Sequence, residues 1–265
     1  MRVAPFYGLS FTAGCVDAIS FLRFGNVFTA NMTGNTVLLG IAIASRLGSL
    51  SNGLGIGPPL LAIAAFVVGA GVTLPVFRTG FDARRAGLLV LAEAVIVALA
   101  GTAFAIFKGQ WVVAICITLV SFAMGVQSIV ASKAGIPGIS TTYVTGTLVT
   151  AVTRLFARGP RDERRRDAER DALAWLAYLC GAAVGTVLLM LFHRAALLPP
   201  VILFVALAAW FFRLPSAAKR RNSRFGVKGG KISQRETSLR SRLNDPPRPR
   251  RPLRDRAAHV TERTH

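Results

Sequence analysis

Charged residues are scarce in this chain, and most of those present are basic. Only 17% of the 265 residues are charged, with 12 acids against 32 Lys and Arg, whereas about 25% is usual for soluble domains. The three cysteines, Cys15, Cys116 and Cys180, lie far apart within apolar runs, and the three histidines form no cluster with them. This spacing argues against a disulfide framework or a metal site, and we interpret the cysteines as small apolar core residues.

Sequence motifs of common enzymes are also missing. The chain contains no H-E-x-x-H, no G-x-S-x-G, no Walker A string and no pair of acids at catalytic spacing. We therefore expect no enzyme, no cofactor and no ATP-driven pump.

Long apolar runs dominate the first 213 residues. Because a helix needs about 20 apolar residues to cross a bilayer and must close its backbone hydrogen bonds internally, such runs predict transmembrane helices. We expect an all-α polytopic membrane protein whose first run, although it starts near the N-terminus, is retained because it contains Asp17 and leads into another apolar segment. The six predicted spans are 3–22, 58–77, 87–107, 111–131, 172–192 and 195–212.

Two further runs, 27–45 and 138–157, begin polar and end apolar. Basic loops favour the cytoplasm, and arginines are concentrated at 78–85, at 154–170 and in the C-terminal tail. The loops 78–85 and 154–170 fall on one side only if 138–157 is broken or re-entrant, and the same reading of 27–45 puts the N-terminus on that side. We therefore predict six spans plus two such segments, with both termini in the cytoplasm of a bacterial inner membrane. Eight full spans would leave the arginines of 154–170 outside.

The two polar runs belong to an internal repeat. The stretch 11–17 parallels 122–127, and 31–35 parallels 143–147, with about 110 residues between copies. Repeat A covers about 3–107 and repeat B about 111–213 of a transmembrane domain at 1–213. With three full spans in each half, the second copy must be inverted, which gives a pseudo-symmetric inverted repeat of the kind common in transporters.

Specific strings also resemble a known family. A-G-C-V-D-A-I-S-F-L at 13–22, V-F-T-A-N-M-T-G-N-T-V-L-L-G at 27–40, M-G-V-Q-S at 124–128 and T-T-Y-V-T-G-T-L at 141–148 are similar to the YoaK-like bacterial membrane proteins, domain of unknown function 1275. The resemblance covers about 5–213. It implies a six-span inner-membrane protein with an acid at Glu93, and an Asn where this chain has Ser128, but no particular activity.

Polar groups inside apolar runs are the candidate site residues. Asp17 is the first candidate, because a charge inside a span is costly and usually functional. It is predicted to bind a proton or cation, or to accept hydrogen bonds from 31–35; pairing with Arg23 or protonation is the structural alternative. Glu93 is the second acid, with Arg84 or Arg85 able to neutralise it, and Gln127 replaces Asp17 in repeat B. The remaining candidates for substrate or ion binding are Asn31, Thr33, Gly34, Asn35, Thr145, Gly146 and Thr147.

The C-terminal region 214–265 is predicted to be a disordered basic cytoplasmic tail. Residues 213–265 hold 16 of the 32 Lys and Arg but only four acids, which favours contact with anionic lipid headgroups. A solvated tail without a dedicated role is the alternative.

Two function classes remain open from the sequence. The first is a small-solute or ion transporter or channel-like permease in the lipid bilayer, as a single chain or a homo-oligomer. Its expected site lies at the midplane between the polar runs 27–45 and 138–157, which we call the two T-G segments after their Thr-Gly pairs. The second is a non-transporting membrane scaffold or regulatory subunit. The sequence names no solute.

Overall fold

The computed structural model describes residues 4–47, 53–134, 144–156 and 161–214. Within these ranges all regular structure is helical, as the apolar runs predict. The predicted tail beyond Leu214 and the polar start of the second break, 138–143, lie outside the described residues. The helices are α1 (Ala4–Arg23), α2 (Met32–Leu47), α3 (Gly57–Thr73), α4 (Ala83–Ile106), α5 (Gln110–Lys133), α6 (Val144–Phe156), α7 (Arg161–Phe192) and α8 (Leu198–Arg213), with 3-10 turns at Leu74–Phe77 and His193–Ala195.

Four of the described segments are long and apolar enough to cross a membrane. They are Gly57–Phe77, Ala83–Ile106, Gln110–Lys133 and Arg165–Ala195, which correspond to four of the six predicted spans. The other two predicted spans correspond to α8 and α1. Helix α8 is also apolar but has only 16 residues. Helix α1 has 20 residues but carries more polar side chains, Asp17 among them.

The outer surface of this domain is apolar. Val67, Leu99, Met190 and Ile202 each leave 60% or more of their side chains exposed. A surface of this kind suits lipid tails rather than water. The protein is therefore a multi-pass membrane protein in a lipid bilayer.

Helix boundaries follow local backbone chemistry. Gly25 and Asn26 both have positive φ, so the chain turns sharply out of α1 in the left-handed region that ends many helices. Pro58 and Pro199 stand in the first turns of α3 and α8, where a missing backbone N–H costs nothing.

The α1–α7 crossing brings two backbones into direct contact through glycine. A Cβ on Gly14 would collide with the carbonyl of Tyr178, and a Cβ on Gly181 would collide with the carbonyl of Phe11. Small residues permit this close approach in membranes, where packing rather than water expulsion holds helices together.

The α3–α5 crossing has the same construction. A Cβ on Gly125 would collide with the carbonyl of Phe66, and a Cβ on Gly69 would collide with the carbonyl of Phe122. In both crossings, each glycine meets the carbonyl that lies three residues before the partner glycine.

The central helices alternate in direction. The start of α1 packs on the end of α8, where the rings of Phe6 and Phe211 lie 5.6 Å apart edge to face. The start of α4 also meets the end of α8, since Gly87 faces Phe211, so α1 and α4 run the same way. The α4–α5 turn makes α5 antiparallel to both, with the Cys116 thiol donating to the carbonyl of Ala100 over 3.4 Å.

An arginine that lies 90 positions after Phe104 in the sequence closes the α4–α5 turn. Arg194 donates from Nε to the carbonyl of Phe104 over 2.8 Å and also donates to the carbonyl of Phe107. Its guanidinium lies 4.5 Å from the centre of the Phe104 ring. These contacts satisfy carbonyls that the end of α4 leaves without helical partners.

Candidate functional site

Asp17 lies inside the protein with both carboxylate oxygens bonded. Oδ1 accepts from the backbone N–H groups of Thr29 at 2.7 Å and Ala30 at 2.6 Å, and from the Thr29 hydroxyl at 3.3 Å. Oδ2 accepts from the Tyr178 hydroxyl at 2.6 Å. Arg23, the predicted structural partner, is exposed at the end of α1. The carboxylate therefore joins α1, the segment that follows it, and α7.

This bonding follows from the path of the chain after α1. The turn at Gly25 reverses the backbone, and residues 27–31 return beside α1 in non-helical conformation. Thr29 and Ala30 are completely buried there, 0% and 1% exposed. A buried backbone N–H without a helical partner needs another acceptor, and Asp17 supplies one for both residues.

Asn35 holds the same segment from the other side. Its side-chain oxygen accepts from the Phe28 N–H at 2.9 Å, and its Nδ2 donates to the Phe28 carbonyl at 2.6 Å. The Phe28 ring also stacks on Phe21 of α1, with centroids 4.7 Å apart. We call residues 24–31 the returning segment.

The other candidates of the first T-G segment lie at the start of α2. Asn31 Oδ1 accepts from the Gly34 N–H at 3.1 Å, which is an N-cap bond that satisfies one free helix donor. Gly34 packs so closely on Phe28 that a Cβ would approach the ring within 3 Å. Thr33 is exposed. Asp17, Asn31, Gly34 and Asn35 thus meet around one segment.

Glu93 has a different environment. It lies near the middle of α4, 0% exposed, and neither carboxylate oxygen has a hydrogen-bond partner among the described residues. Arg85 donates instead to the Val76 carbonyl at 2.8 Å, and Arg84 is exposed. The arginine neutralisation considered from the sequence is not observed.

Gln127 links α5 to α1. Its Nε2 donates to the Leu9 carbonyl over 2.9 Å, while its Oε1 is buried without a partner among the described residues. Ser10 and Ser121 have buried hydroxyls in the same condition.

The described part of the second T-G segment, 144–156, forms α6, which packs on α7. Gly146 accepts at its carbonyl from the Thr150 hydroxyl over 2.7 Å. The side chains of Thr145 and Thr147 lie outside the described part of the chain. Arg154, at the end of α6, forms an ion pair of 2.9 Å with the buried Asp171 of α7, which the sequence did not indicate.

Sequence reasoning missed Tyr178, which lies 161 positions after Asp17. A tyrosine inside an apolar run gives no signal of its partner. The described residues contain no group of three or more possible metal-ligating side chains. Cys15 and Cys116 are buried thiols, as expected of core residues, whereas Cys180 is exposed.

Comparisons with known proteins agree with these features. The family model described as "Protein of unknown function (DUF1275)" matches residues 6–210. The chain is 35% identical over 207 residues to the "UPF0700 transmembrane protein YoaK" of Bacillus subtilis (strain 168), covering 74% of this chain and 87% of that protein. No solved structure matches. The match spans every described helix that carries a candidate residue, so the chain belongs to the DUF1275 family of transmembrane proteins.

Proposed function

We propose that the chain is a small-solute or ion permease, a transporter or a channel, with its binding site near the middle of the membrane. Glu93 is the observation that carries this proposal. Its carboxyl is completely buried near the middle of a candidate span and has no hydrogen-bond partner among the described residues. Ionisable groups in such places are expensive and mark ion or substrate pathways.

The proposed architecture is a pair of inverted halves. The α1–α7 and α3–α5 crossings use the same glycine–carbonyl pattern. By this pattern, α1 and α3 of the first half correspond to α5 and α7 of the second half. Gly125 follows Gly14 by 111 positions, and Gly181 follows Gly69 by 112. Since α5 runs opposite to α1, the second copy enters the membrane from the other side. Such repeats place their sites at the interface between copies.

This register refines one sequence hypothesis. Asp17 lies three residues after Gly14, and the residue three after Gly125 is Ser128. Asp17 therefore corresponds to Ser128, and Gln127 corresponds to Val16. The proposed site is asymmetric, because repeat B has no acid at the position of Asp17.

A contact at the end of α1 supports a re-entrant first break. A Cβ on Gly25 would lie 3.9 Å from the Pro58 ring at the start of α3. The chain therefore leaves α1 and enters α3 at neighbouring points. We propose that 27–45 enters and leaves the membrane on one side, that 138–157 does the same on the other side, and that six helices span.

The proposed orientation follows from the basic loops. Arginines at 78–85 and 154–170 support a cytoplasmic position for these regions and for both termini. The relative in Bacillus subtilis is named a transmembrane protein, and we propose the bacterial plasma membrane for this chain.

Within this proposal the polar residues divide into two roles. Asp17, Asn31 and Asn35 hold the returning segment, because each is bonded to backbone N–H groups there or next to it. Glu93 and Gln127 retain unpartnered oxygens and bind the permeating ion or the ion that drives a solute.

The test has two steps. A thermal-shift screen of the purified protein finds solutes, because a ligand that binds the folded state raises its melting temperature. Uptake of each hit is then measured in vesicles reconstituted with wild type, Glu93→Gln, and Cys180→Ser as the matched control on an outward face. We expect uptake in wild type and Cys180→Ser and at least a tenfold loss in Glu93→Gln. Equal uptake in all three contradicts the role of Glu93.

A non-transporting scaffold or regulatory subunit is the second candidate. The bonding of Asp17, Asn31 and Asn35 favours it, since each of these side chains accepts from a backbone N–H group and so helps to hold the protein together. A chain that binds no solute in the screen and shows no flux dependent on Glu93 belongs to this class.

A further inference from the structure

The membrane domain contains a set of buried oxygens that the fold does not use. Within α1, α4 and α5, four residues contribute them: Ser10, Glu93, Ser121 and Gln127, each at most 1% exposed and each without a hydrogen-bond partner for these atoms among the described residues. Unmet polar atoms are costly inside a protein, so each needs an explanation. All five atoms are oxygens, on α1, α4 and α5.

The helix register places the two longest of these side chains at nearly one level. The bond between Cys116 and Ala100 fixes the antiparallel α4–α5 pair. Glu93 lies seven residues before Ala100 on α4, and Ala123 lies seven residues after Cys116 on α5, so Glu93 and Ala123 are at the same level. Gln127 lies one helical turn beyond Ala123 on α5. Side chains lean toward the N-terminus of their own helix, so Glu93 and Gln127 lean toward each other.

The orientation of Gln127 is fixed by its other contact. Because Nε2 donates to the Leu9 carbonyl, Oε1 is the free end of the amide, and it can only accept a hydrogen bond. An ionised Glu93 also only accepts. The two groups become complementary when one proton binds the carboxylate, since a carboxylic acid has one O–H donor.

We propose that Glu93 binds and releases one proton, and that the protonated carboxyl donates to Gln127 Oε1. This deepens the proposed function, on which it rests, by naming the proton as the ion handled at that site. A proton needs a single acceptor, whereas a metal cation needs several oxygens at once. On binding, one O–H bond forms at a carboxylate oxygen; on release, the proton leaves to water or to a solute.

Few other charges act on Glu93. Between Ala86 and Phe107, α4 holds no other charged residue, and α8 holds none before Arg213. Asp17 is bonded to the returning segment, and Arg194 is bonded to the carbonyls of Phe104 and Phe107. The remaining titratable side chains on α1, on α5 and on the 3-10 turn beside α4 are Tyr7, Cys15 and Arg23 of α1, Cys116 and Lys133 of α5, and His193 next to Arg194.

The experiment is infrared difference spectroscopy between high and low pH on the purified full chain in lipid nanodiscs. In wild type we expect the carbonyl band of a protonated carboxylic acid to appear at low pH and to be replaced by carboxylate bands at high pH. This signal is lost in Glu93→Gln, retained in Asp17→Asn, and shifted in frequency in Gln127→Leu, which removes the acceptor.

Two outcomes overturn the proposal. One is a wild-type signal that persists in Glu93→Gln. The other is a melting temperature that rises with NaCl but not with choline chloride and loses this response in Glu93→Gln, which assigns the site to sodium. If Glu93→Gln does not purify, Glu93→Asp takes its place, and a carbonyl band that keeps its wild-type frequency then counts as the first of these outcomes. An infrared signal of Glu93 protonation without uptake of any solute supports this inference and contradicts the proposed permease.

Discussion

Asp17 and Glu93 are both enclosed acids of the membrane domain, 2% and 0% exposed, but their surroundings differ. Asp17 accepts from two backbone N–H groups and two hydroxyls. Glu93 has no bonded partner among the described residues. Burial is therefore nearly the same for the two acids, and the number of donors around the carboxylate is what differs. A saturated carboxylate stabilises the fold, whereas an unsatisfied one costs stability.

The largest expected effect is from Asp17→Ala. Two buried N–H groups and the Tyr178 hydroxyl lose their acceptor, and each unmet group costs about 1–3 kcal/mol. We expect the free energy of unfolding to fall by at least about 3 kcal/mol, measured by denaturant unfolding in detergent micelles. Asp17→Asn, which keeps one acceptor oxygen, is the control and should lose much less. Wild-type stability in Asp17→Ala would show that the returning segment is held by other contacts.

Asn35→Ala should come next. The variant removes both hydrogen bonds to Phe28 and should lower the free energy of unfolding by about 2 kcal/mol. The same unfolding measurement applies. Thr33→Ala is the matched control, since Thr33 is exposed two residues away and should change stability by less than about 0.5 kcal/mol. Equal effects of the two substitutions would contradict the described role of Asn35.

A smaller loss is expected for Tyr178→Phe, because the ring remains and only the bond to Asp17 Oδ2 disappears. We expect about 1–2 kcal/mol. A double-mutant cycle with Asp17→Ala, which removes the acceptor of the Tyr178 hydroxyl, isolates this contact. Strictly additive losses in the cycle would mean that the hydroxyl and the carboxylate do not interact.

The smallest effect is predicted for Glu93→Gln. No protein hydrogen bond is lost and the volume hardly changes, so stability should be retained within about 1 kcal/mol or rise slightly. Glu93→Ala, which also leaves a cavity, should cost about 1–3 kcal/mol. If Glu93→Gln unfolds as readily as Asp17→Ala, the two acids have the same structural role, and the comparison between them fails.

Apolar length predicted the helical class and four spans that the structure supports, but not the helix ends. The predicted loop 154–170 is helical from Arg161, because α7 extends eleven residues before the predicted span at 172. Arg, Glu and Ala favour helix in water as well, so the helix continues past the point where the apolar pattern stops. Hydropathy reports the membrane boundary rather than the helix boundary.

The candidate site was only partly readable from sequence. Asp17 and Glu93 were recognised because charge is rare in apolar runs. The donors to Asp17 were not, since two are backbone N–H groups, which nearly every residue carries, one is the Thr29 hydroxyl, and one is a tyrosine in α7. The predicted partners at 31–35 lie immediately beyond the true ones at Thr29 and Ala30. The register that brings Gln127 to Leu9 depends on tertiary packing, which the sequence pattern did not reveal.

The α1–α7 crossing has a consequence for biosynthesis. Helix α1 packs on a helix that ends at Phe192, so the glycine face of α1 stays unpaired in the bilayer until α7 has been translated. Contacts between such distant parts of a chain form late. In prematurely terminated chains that lack α7, α1 therefore has no packing partner at its glycine face. We expect membrane proteases to degrade such chains, because the helix is unpaired.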